Sequence, residues 1–420
     1  MEPSLTALFV DCDSYFASVE QHLDPKLRGR PVAVSPVKAE STCCIAASYE
    51  AKAYGVKTGT PIHEARKLCP GITIVEGNHE QYVHFHHLII KAVESCIHVE
   101  AALSIDEMWC WLPYNWRERQ TVEELAMKIK AAVARDVSPV IKVSIGAGPN
   151  KWVAKVASKM RKPDGLFIIE PHEMPQALHG LELRDLHGIG RSMELRLHAV
   201  GIHSVEALCA APKNVLHSAW GGIAGDRLWY TLRGMEIPTE LSTRRSISHS
   251  HMLPPDSRSP AKAWGILCKL LHKGCERMRA YGMLAGSLML HIRFLQGETW
   301  VMEAPIPETD STLRLMTLLG RLWRERPDSR QPLLKVGMVL QKLCEKNNFT
   351  PQLPGISGEP EQDVQEIAKH QRLDQTLDEL RSRYGRQVIF LGSVQQVRNA
   401  APMRIAFDYI PDVKLDTDGG

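Results

Sequence analysis

No two cysteines in the chain stand at C-x-x-C spacing, and no Cys/His set has the separations of a zinc site. That excludes a zinc ribbon and a dithiol redox motif, although ten cysteines are present. Cys43 and Cys44 are adjacent and cannot easily bridge each other; several others sit in apolar runs as core fillers. No signal-type segment precedes Leu5, and no apolar stretch approaches membrane-spanning length. A soluble protein of a reducing compartment is expected, with the cytoplasm as default. Strong charge of one sign is also missing. A formal net charge of +3 over 420 residues does not by itself suggest nucleic acid. A 44% hydrophobic content at this length supports several cores, hence two to four domains.

What is present is unevenly placed. Residues 244–345 hold sixteen Lys/Arg against nine Asp/Glu, a net of +7, so the remainder is mildly acidic. One basic module on an acidic body suits a clamp on a phosphate backbone. A solvated basic face is the plainer reading.

Two acidic clusters sit at the ends of apolar runs. Ala7-Leu8-Phe9-Val10-Asp11-Cys12-Asp13 leads into Ser14-Tyr15-Phe16-Ala17-Ser18-Val19-Glu20. Ala102-Leu103-Ser104-Ile105-Asp106-Glu107 runs on into Met108-Trp109-Cys110-Trp111-Leu112. Carboxylates placed where a buried strand emerges are costly unless something cationic meets them. A pair of hard divalent ions prefers such oxygen ligands and bridges to phosphates, the arrangement that serves phosphoryl transfer. Either cluster alone is more often a turn or a helix N-cap. Asp13, just before the apolar-patterned Tyr15–Val19, reads equally well as that.

Along the chain, a strand over 5–10 and a helix near 14–22 precede a second strand at Pro31–Val34. Residues 36–79 form a small insertion with a helix around Ile62–Leu68. A helix over 80–100, the Asp106 strand, an amphipathic helix over 121–135 and a strand at Val140–Ala147 follow. Asn150-Lys151 then opens a helix to about Met160. Strand, helix, strand, strand, helix, strand is a ferredoxin-like pattern, able to present acidic residues from neighbouring strands at one end. Beyond residue 181 the chain is helical. His187-Gly188-Ile189-Gly190 and Gly221-Gly222-Ile223-Ala224-Gly225 each precede a helix, and such loop amides can face a backbone phosphate. Residues 235–250 read as a linker. Leu288, Leu290, Ile292 and Phe294 alternate along a strand whose opposite face carries His291 and Arg293, a polar and basic front suited to a groove. Residues 346–368 read as a flexible tether. An amphipathic helix marked by Leu373, Leu377, Leu380 and Tyr384 follows, then a short strand at Val388–Leu391.

Over about residues 5–345 the chain resembles the Y-family translesion DNA polymerases, specifically the bacterial polymerase IV group. Val10-Asp11-Cys12-Asp13-Ser14-Tyr15-Phe16-Ala17-Ser18-Val19-Glu20 and Ser104-Ile105-Asp106-Glu107 carry the likeness. It implies an α+β multidomain fold: a ferredoxin-like palm (1–35 and 80–180), small fingers (36–79) and a helix-hairpin-helix thumb (181–240). A C-terminal α/β little-finger DNA-binding domain (241–345) and a tether and tail (346–420) complete it. It implies two Mg²⁺ ions, with Mn²⁺ as a substitute, held by Asp11, Asp106, Glu107 and the Cys12 backbone carbonyl. Asp11, Asp106 and Glu107 are then also the catalytic residues.

For the nucleotide, the resemblance implies Phe16 as a steric gate against a 2′-hydroxyl, together with Tyr15, Tyr49, Lys52 and Lys162. Lys52 stands where many relatives have Arg, giving a point charge in place of a fork. For DNA it implies Gly188, Gly190, Arg244, Arg245, His291 and Arg293. The expected partners are primer-template DNA, dNTP and, through Gln352–Ile356, a sliding clamp. The expected setting is a monomer in the cytoplasm at the nucleoid. A catalytically inactive accessory protein of a mutagenesis complex is the alternative, which the intact carboxylates argue against. A nucleotidyl cyclase would share the palm, but it has no duplex for the glycine loops and basic module to hold.

Overall fold

Unbroken apolar runs predict strands covered on both faces, and Ala7–Cys12 is buried along its whole length. The structure, a computed structural model, describes residues 4–37, 39–40, 42–238, 244–328, 331–348, 361–385, 389 and 392–397. The chain divides into two compact units, built on residues 1–239 and 240–403.

In the first unit the strands are β1 (Ala7–Cys12), β2 (Val32–Ser35), β3 (Ala46–Ala47), β4 (Thr73–Glu76), β5 (Ala101–Ala102), β6 (Glu107–Trp111), β7 (Val143–Gly148) and β8 (Leu166–Ile168). Its helices are α1 (Tyr15–Leu23), α2 (Tyr49–Lys52), α3 (Ile62–Leu68), α4 (His79–Glu94), α5 (Arg119–Asp136), α6 (Lys151–Met160), α7 (Arg191–Ala199), α8 (Val205–Ala210), α9 (Lys213–Trp220) and α10 (Ile223–Thr231). A five-stranded sheet in the order β5-β6-β1-β7-β8 is antiparallel except at the β7–β8 edge. Successive residues of β1 serve different layers. Leu8, Val10 and Cys12 join the core shared with α1, α4 and α5. Ala7 and Phe9 meet Trp109 and Ala154 of α6 on the other side. The α6 backbone comes so near β7 that a Cβ on Gly146 would lie 2.1 Å from the Ala154 carbonyl oxygen. Glycine there is a packing requirement.

Two expectations change in this unit. The strand expected to end at Asp106 is a hairpin: β5 turns through Leu103–Asp106 into β6. The N–H groups of Leu103 and Ser104 donate to the Glu107 carbonyl at 2.9 and 3.3 Å. Ser104 Oγ donates to Asp106 Oδ1 at 2.6 Å, a local bond that favours a turn over an extended run. Secondly, β2 does not belong with the main sheet, as a division at residue 35 implies. It pairs with β3 and, in parallel, with β4, inside the inserted segment. Its Val-Ala-Val-Ser run is buried throughout and carried no alternation that could choose between sheets.

Helices α7 to α10 share a core with α6, in which Leu197, Val205, Leu208, Leu216 and Leu228 pack with Val153 and Val156. Hydrogen bonds also tie this layer to the start of α6. Asn150 Nδ2 donates to the carbonyls of Thr231 (2.9 Å) and Met235 (3.1 Å), and Trp152 Nε1 donates to the His187 carbonyl (3.0 Å).

The second unit contains β9 (Ser246–Met252), α11 (Pro260–Ala280), β10 (Met283–Phe294), β11 (Thr299–Thr309), α12 (Thr312–Arg324), β12 (Leu333–Glu345) and α13 (Glu361–Tyr384). An antiparallel sheet, β11-β10-β12-β9, buries Leu288, Leu290, Ile292 and Phe294 with residues of α11 and α12. The linker expected over 235–250 contains β9, whose Ser246–Met252 pairs with Lys335–Gln341. Its Ser/His composition hid it. Ile247 is its buried apolar anchor, and ladder hydrogen bonds supply the rest.

The expected tether likewise contains the start of α13, which a cluster of ion pairs helps to seat, with Leu377 and Leu380 half-buried. Arg279 of α11 forks onto Asp378 at 2.6 and 2.9 Å and lies 3.8 Å from Asp374. The Thr312 N–H also donates to Asp374, at 2.9 Å. Leu373 and Tyr384 remain exposed. Gln352–Ile356, and the expected strand at Val388–Leu391 apart from Ile389, lie outside the described residues. Removing one partner of a largely buried ion pair costs about 3–5 kcal/mol. Arg279→Ala is therefore expected to speed hydrogen exchange across residues 369–385 by roughly a hundredfold or more. Unchanged protection would show that α13 does not depend on this cluster.

Candidate active site

Strand register brings the two acidic clusters together. Asp11 of β1 is paired directly with Glu107 of β6, and the Cys12 N–H donates to the Asp106 carbonyl at 2.8 Å. By strand alternation Asp11 and Glu107 share the α6 side with Phe9 and Trp109. The Cys12 side chain joins the opposite core, so that residue has only its backbone to offer.

Two ammonium groups reach these carboxylates. Lys162 Nζ lies 2.5 Å from Asp11 Oδ1 and 3.5 Å from Asp13 Oδ1. Lys155 Nζ, from α6, donates to Glu107 Oε2 at 2.9 Å. Burial raises the Asp11 carboxyl to about 6 against the pull of Lys162, and it raises Asp106 as well. Burial lowers Lys162, but Asp11 and Asp13 outweigh it and the net shift is upward. Among the described residues, no three Asp, Glu, His or Cys groups converge closely enough to hold one ion as they stand. Asp11 is engaged by Lys162 and Glu107 by Lys155. The donor chemistry nonetheless fits a hard cation. The clustered acidic side chains are oxygen ligands, and burial penalises the charge of Asp11 and Asp106 unless a cation meets it.

Asp13 does not cap α1. Ser14 is the N-cap, at φ 48, and makes no side-chain cap bond. Asp13 instead accepts from Ser144 Oγ (2.9 and 2.8 Å), from the Asp164 N–H (2.7 Å) and from the Tyr49 hydroxyl (3.2 Å). It braces β1 against β7, against the turn after Lys162 and against α2. Nothing in the local sequence signals that role, since Ser144 and Asp164 are far along the chain. Lys155 was more legible: Lys151, Lys155 and Lys159 recur at every fourth residue and so share one helix face.

A cavity of about 440 Å³ opens beside the carboxylates, bounded by Asp11, Phe16, Ile45, Lys52, Asp106 and Lys162 among others. The Phe16 ring stacks on Tyr82 with centroids 4.4 Å apart, and Tyr82 is anchored through its hydroxyl to Glu20 at 2.6 Å. Lys52 Nζ donates to Ser14 Oγ (2.7 Å) and lies over the Tyr49 ring (4.3 Å). Burial and the neighbouring Lys162 lower its pKa. Tyr15 also borders this cavity. Its hydroxyl donates to the Tyr82 carbonyl at 2.6 Å and its ring is largely buried, leaving the ring edge and backbone to face the cavity. A second cavity of about 570 Å³ is bounded by Glu107, Lys151, Trp152, Lys155, His187 and Arg227 among others. Gly188 and Gly190 directly follow its His187 wall, and both are exposed.

In the second unit the open sheet face is less basic than the sequence suggested. Arg293 sits in register with Lys335 and Thr299 at one end. His291 is half-buried above Gly337, where a Cβ would approach its ring to 2.3 Å, and burial lowers its pKa. Glu303 and Val301 share that face. The Arg244 guanidinium lies over the Tyr281 ring at 4.0 Å, and Arg245 is exposed.

Residues 10–159 match the impB/mucB/samB family, and residues 244–353 match that family's C-terminal domain. DNA polymerase IV of Moorella thermoacetica is 32% identical over 91% of this chain and 94% of its own length. DNA polymerase IV 1 of Bacillus subtilis is 28% identical, over 96% and 97%. A solved chimera of the Y-family DNA polymerases Dbh and Dpo4 superposes with a TM-score of 0.70 at 25% identity, over 81% of this chain and 99% of that one. The insertion ternary complex of Dbh DNA polymerase shares the fold at 23% identity and a TM-score of 0.55, over 81% and 99%. The chain therefore belongs to the impB/mucB/samB family, as a Y-family DNA polymerase of the polymerase IV type.

Proposed function

We propose that Asp11, Asp106 and Glu107, with the Cys12 carbonyl, hold two Mg²⁺ ions, for which Mn²⁺ can substitute. The chain then acts as a template-directed DNA polymerase in translesion synthesis and DNA repair. The observation that carries this reading is the β1–β6 register, which pairs Asp11 with Glu107 beside the Asp106 turn. Bound there, such ions supply the charge neutralisation that in-line phosphoryl transfer to a primer 3′-hydroxyl requires. The rest falls to the chain itself. Lys162 and Lys52 face the 440 Å³ cavity and supply positive charge for a triphosphate, with Tyr49 held in place by Asp13. Phe16, braced by Tyr82, forms the cavity wall beneath the sugar. The N–H groups around Gly188 and Gly190, at the start of α7, suit a DNA backbone phosphate.

In this assignment the five-stranded sheet is the palm, the β2–β4 insertion the fingers, α7–α10 the thumb and the second unit the little finger. The partners are primer-template DNA and dNTP, with Gln352–Ile356 the segment for a sliding clamp. The protein works as a monomer in the cytoplasm at the nucleoid. Among the described residues no helix is long and apolar enough to cross a membrane. Primer extension with dNTP and Mg²⁺ tests the activity directly.

DNA contact by the second unit has its own test. Arg293→Ala and Lys335→Ala should each lower the slope of log affinity against log salt by about 1 unit, as for a lost phosphate contact. Fluorescence anisotropy across a salt series measures this. Slopes equal to the parent's would remove the open sheet face from the interface.

A further inference from the structure

Lys155 is a largely buried ammonium that donates to Glu107 Oε2 at 2.9 Å. Its ring neighbour is apolar, with the charge 5.5 Å from the centre of Phe9. It comes from α6, which the Asn150 cap and the close contact at Gly146 hold against β7. The head group therefore does not arrive at Glu107 by chance of a flexible surface chain. On the far side of the cluster Lys162 engages Asp11 in the same way. Two lysines thus engage two of the three carboxylates, and no three ligands converge among the described residues.

We propose that Lys155 is a positioning residue that competes with a divalent cation for Glu107. The cation gains Glu107 only as Lys155 leaves it. The released ammonium has room beside it in the 570 Å³ cavity, whose lining includes the carboxylate of Glu236 as an alternative partner. Lys155 so sets how much divalent ion the site needs. Electrostatics gives the sign. A neutral side chain of similar length leaves Glu107 free and tightens ion binding. An arginine, which forks onto a carboxylate, holds Glu107 harder and loosens it.

The inference rests on Glu107 being an ion ligand, so the experiment separates the two claims. Mn²⁺ binding to the full chain is read from the loss of the free-ion electron paramagnetic resonance signal. Lys155→Met is expected to bind Mn²⁺ roughly tenfold more tightly, the order of one displaced ion pair, and Lys155→Arg several-fold more weakly. In the Glu107→Gln background, itself a weaker binder, the Lys155→Met gain should vanish. If Glu107→Gln leaves affinity unchanged, the ligand assignment itself fails. If Glu107→Gln weakens binding but the two Lys155 variants do not move in opposite directions, the competition is overturned. Should Lys155→Met not fold, the Lys155→Arg shift against the parent decides alone.

Discussion

Asp106→Ala abolishes nucleotide addition while leaving folding and primer-template binding largely intact: that is the first expected result. Asp106 sits in a turn, fixed by the Cys12 N–H on its carbonyl and Ser104 on its side chain, so its removal breaks no strand. Its carboxyl is buried and raised in pKa, which marks it as a group whose charge destabilises the fold unless a cation answers it. The melting temperature without added metal should therefore stay level or rise. Catalysis should fall steeply, since a loss of roughly 10⁴ in rate is only ~5.5 kcal/mol of transition-state stabilisation. Primer extension in Mg²⁺, thermal melting and a DNA-binding titration are the three measurements. Extension at more than a small fraction of the parent rate would sink the two-ion assignment.

The second result concerns sugar selection. Phe16 lies five residues after Asp11, and its ring is clamped in a stack on Tyr82, itself held by Glu20. A ring so braced cannot give way to an extra 2′-oxygen without disturbing a packed core. Phe16→Ala should raise the ribonucleotide-to-deoxyribonucleotide ratio of kcat/KM by a large factor, and each ~1.4 kcal/mol of lost discrimination is worth about tenfold. Ordinary core packing predicts a different pattern, with a lower melting temperature and both efficiencies falling together. Measuring the two efficiencies on one template alongside the melting temperature separates them, and an unchanged ratio would leave Phe16 as core.

Strands β1 and β7 and the two acidic clusters were legible in the sequence because apolar runs and their acidic ends are local patterns. Helices α3 and α6 fall where spacing put them, with Asn150 capping the latter as its residue type suggests. What escaped notice was non-local or atypical in composition. Asp13 looked like a cap because its partners, Ser144 and Asp164, are brought near only by the fold. β9 escaped because a Ser/His edge strand draws its stability from pairing rather than from apolar alternation. The α13 leucines marked an amphipathic helix, but its ion pairs through Asp374 and Asp378 to an arginine ninety-odd residues earlier left no local signal. Tyr15 was legible as a neighbour of the site, but the destination of its hydroxyl was not.

Helix α6 has a mechanical consequence. At its N-terminal end Asn150 and Trp152 are bonded to the helical layer, Trp152 to the carbonyl of the residue just before Gly188. One turn further on, the same rod presents Lys155 to Glu107. With glycines at Gly146 and Gly148 beneath it, the rod lies too close to β7 to bend there without collision. In the proposed assignment, a phosphate held at the Gly188–Gly190 turn would therefore bear on the same rigid helix that carries Lys155 to Glu107. On that assignment, holding the duplex and readying the ion site would depend on one and the same helix.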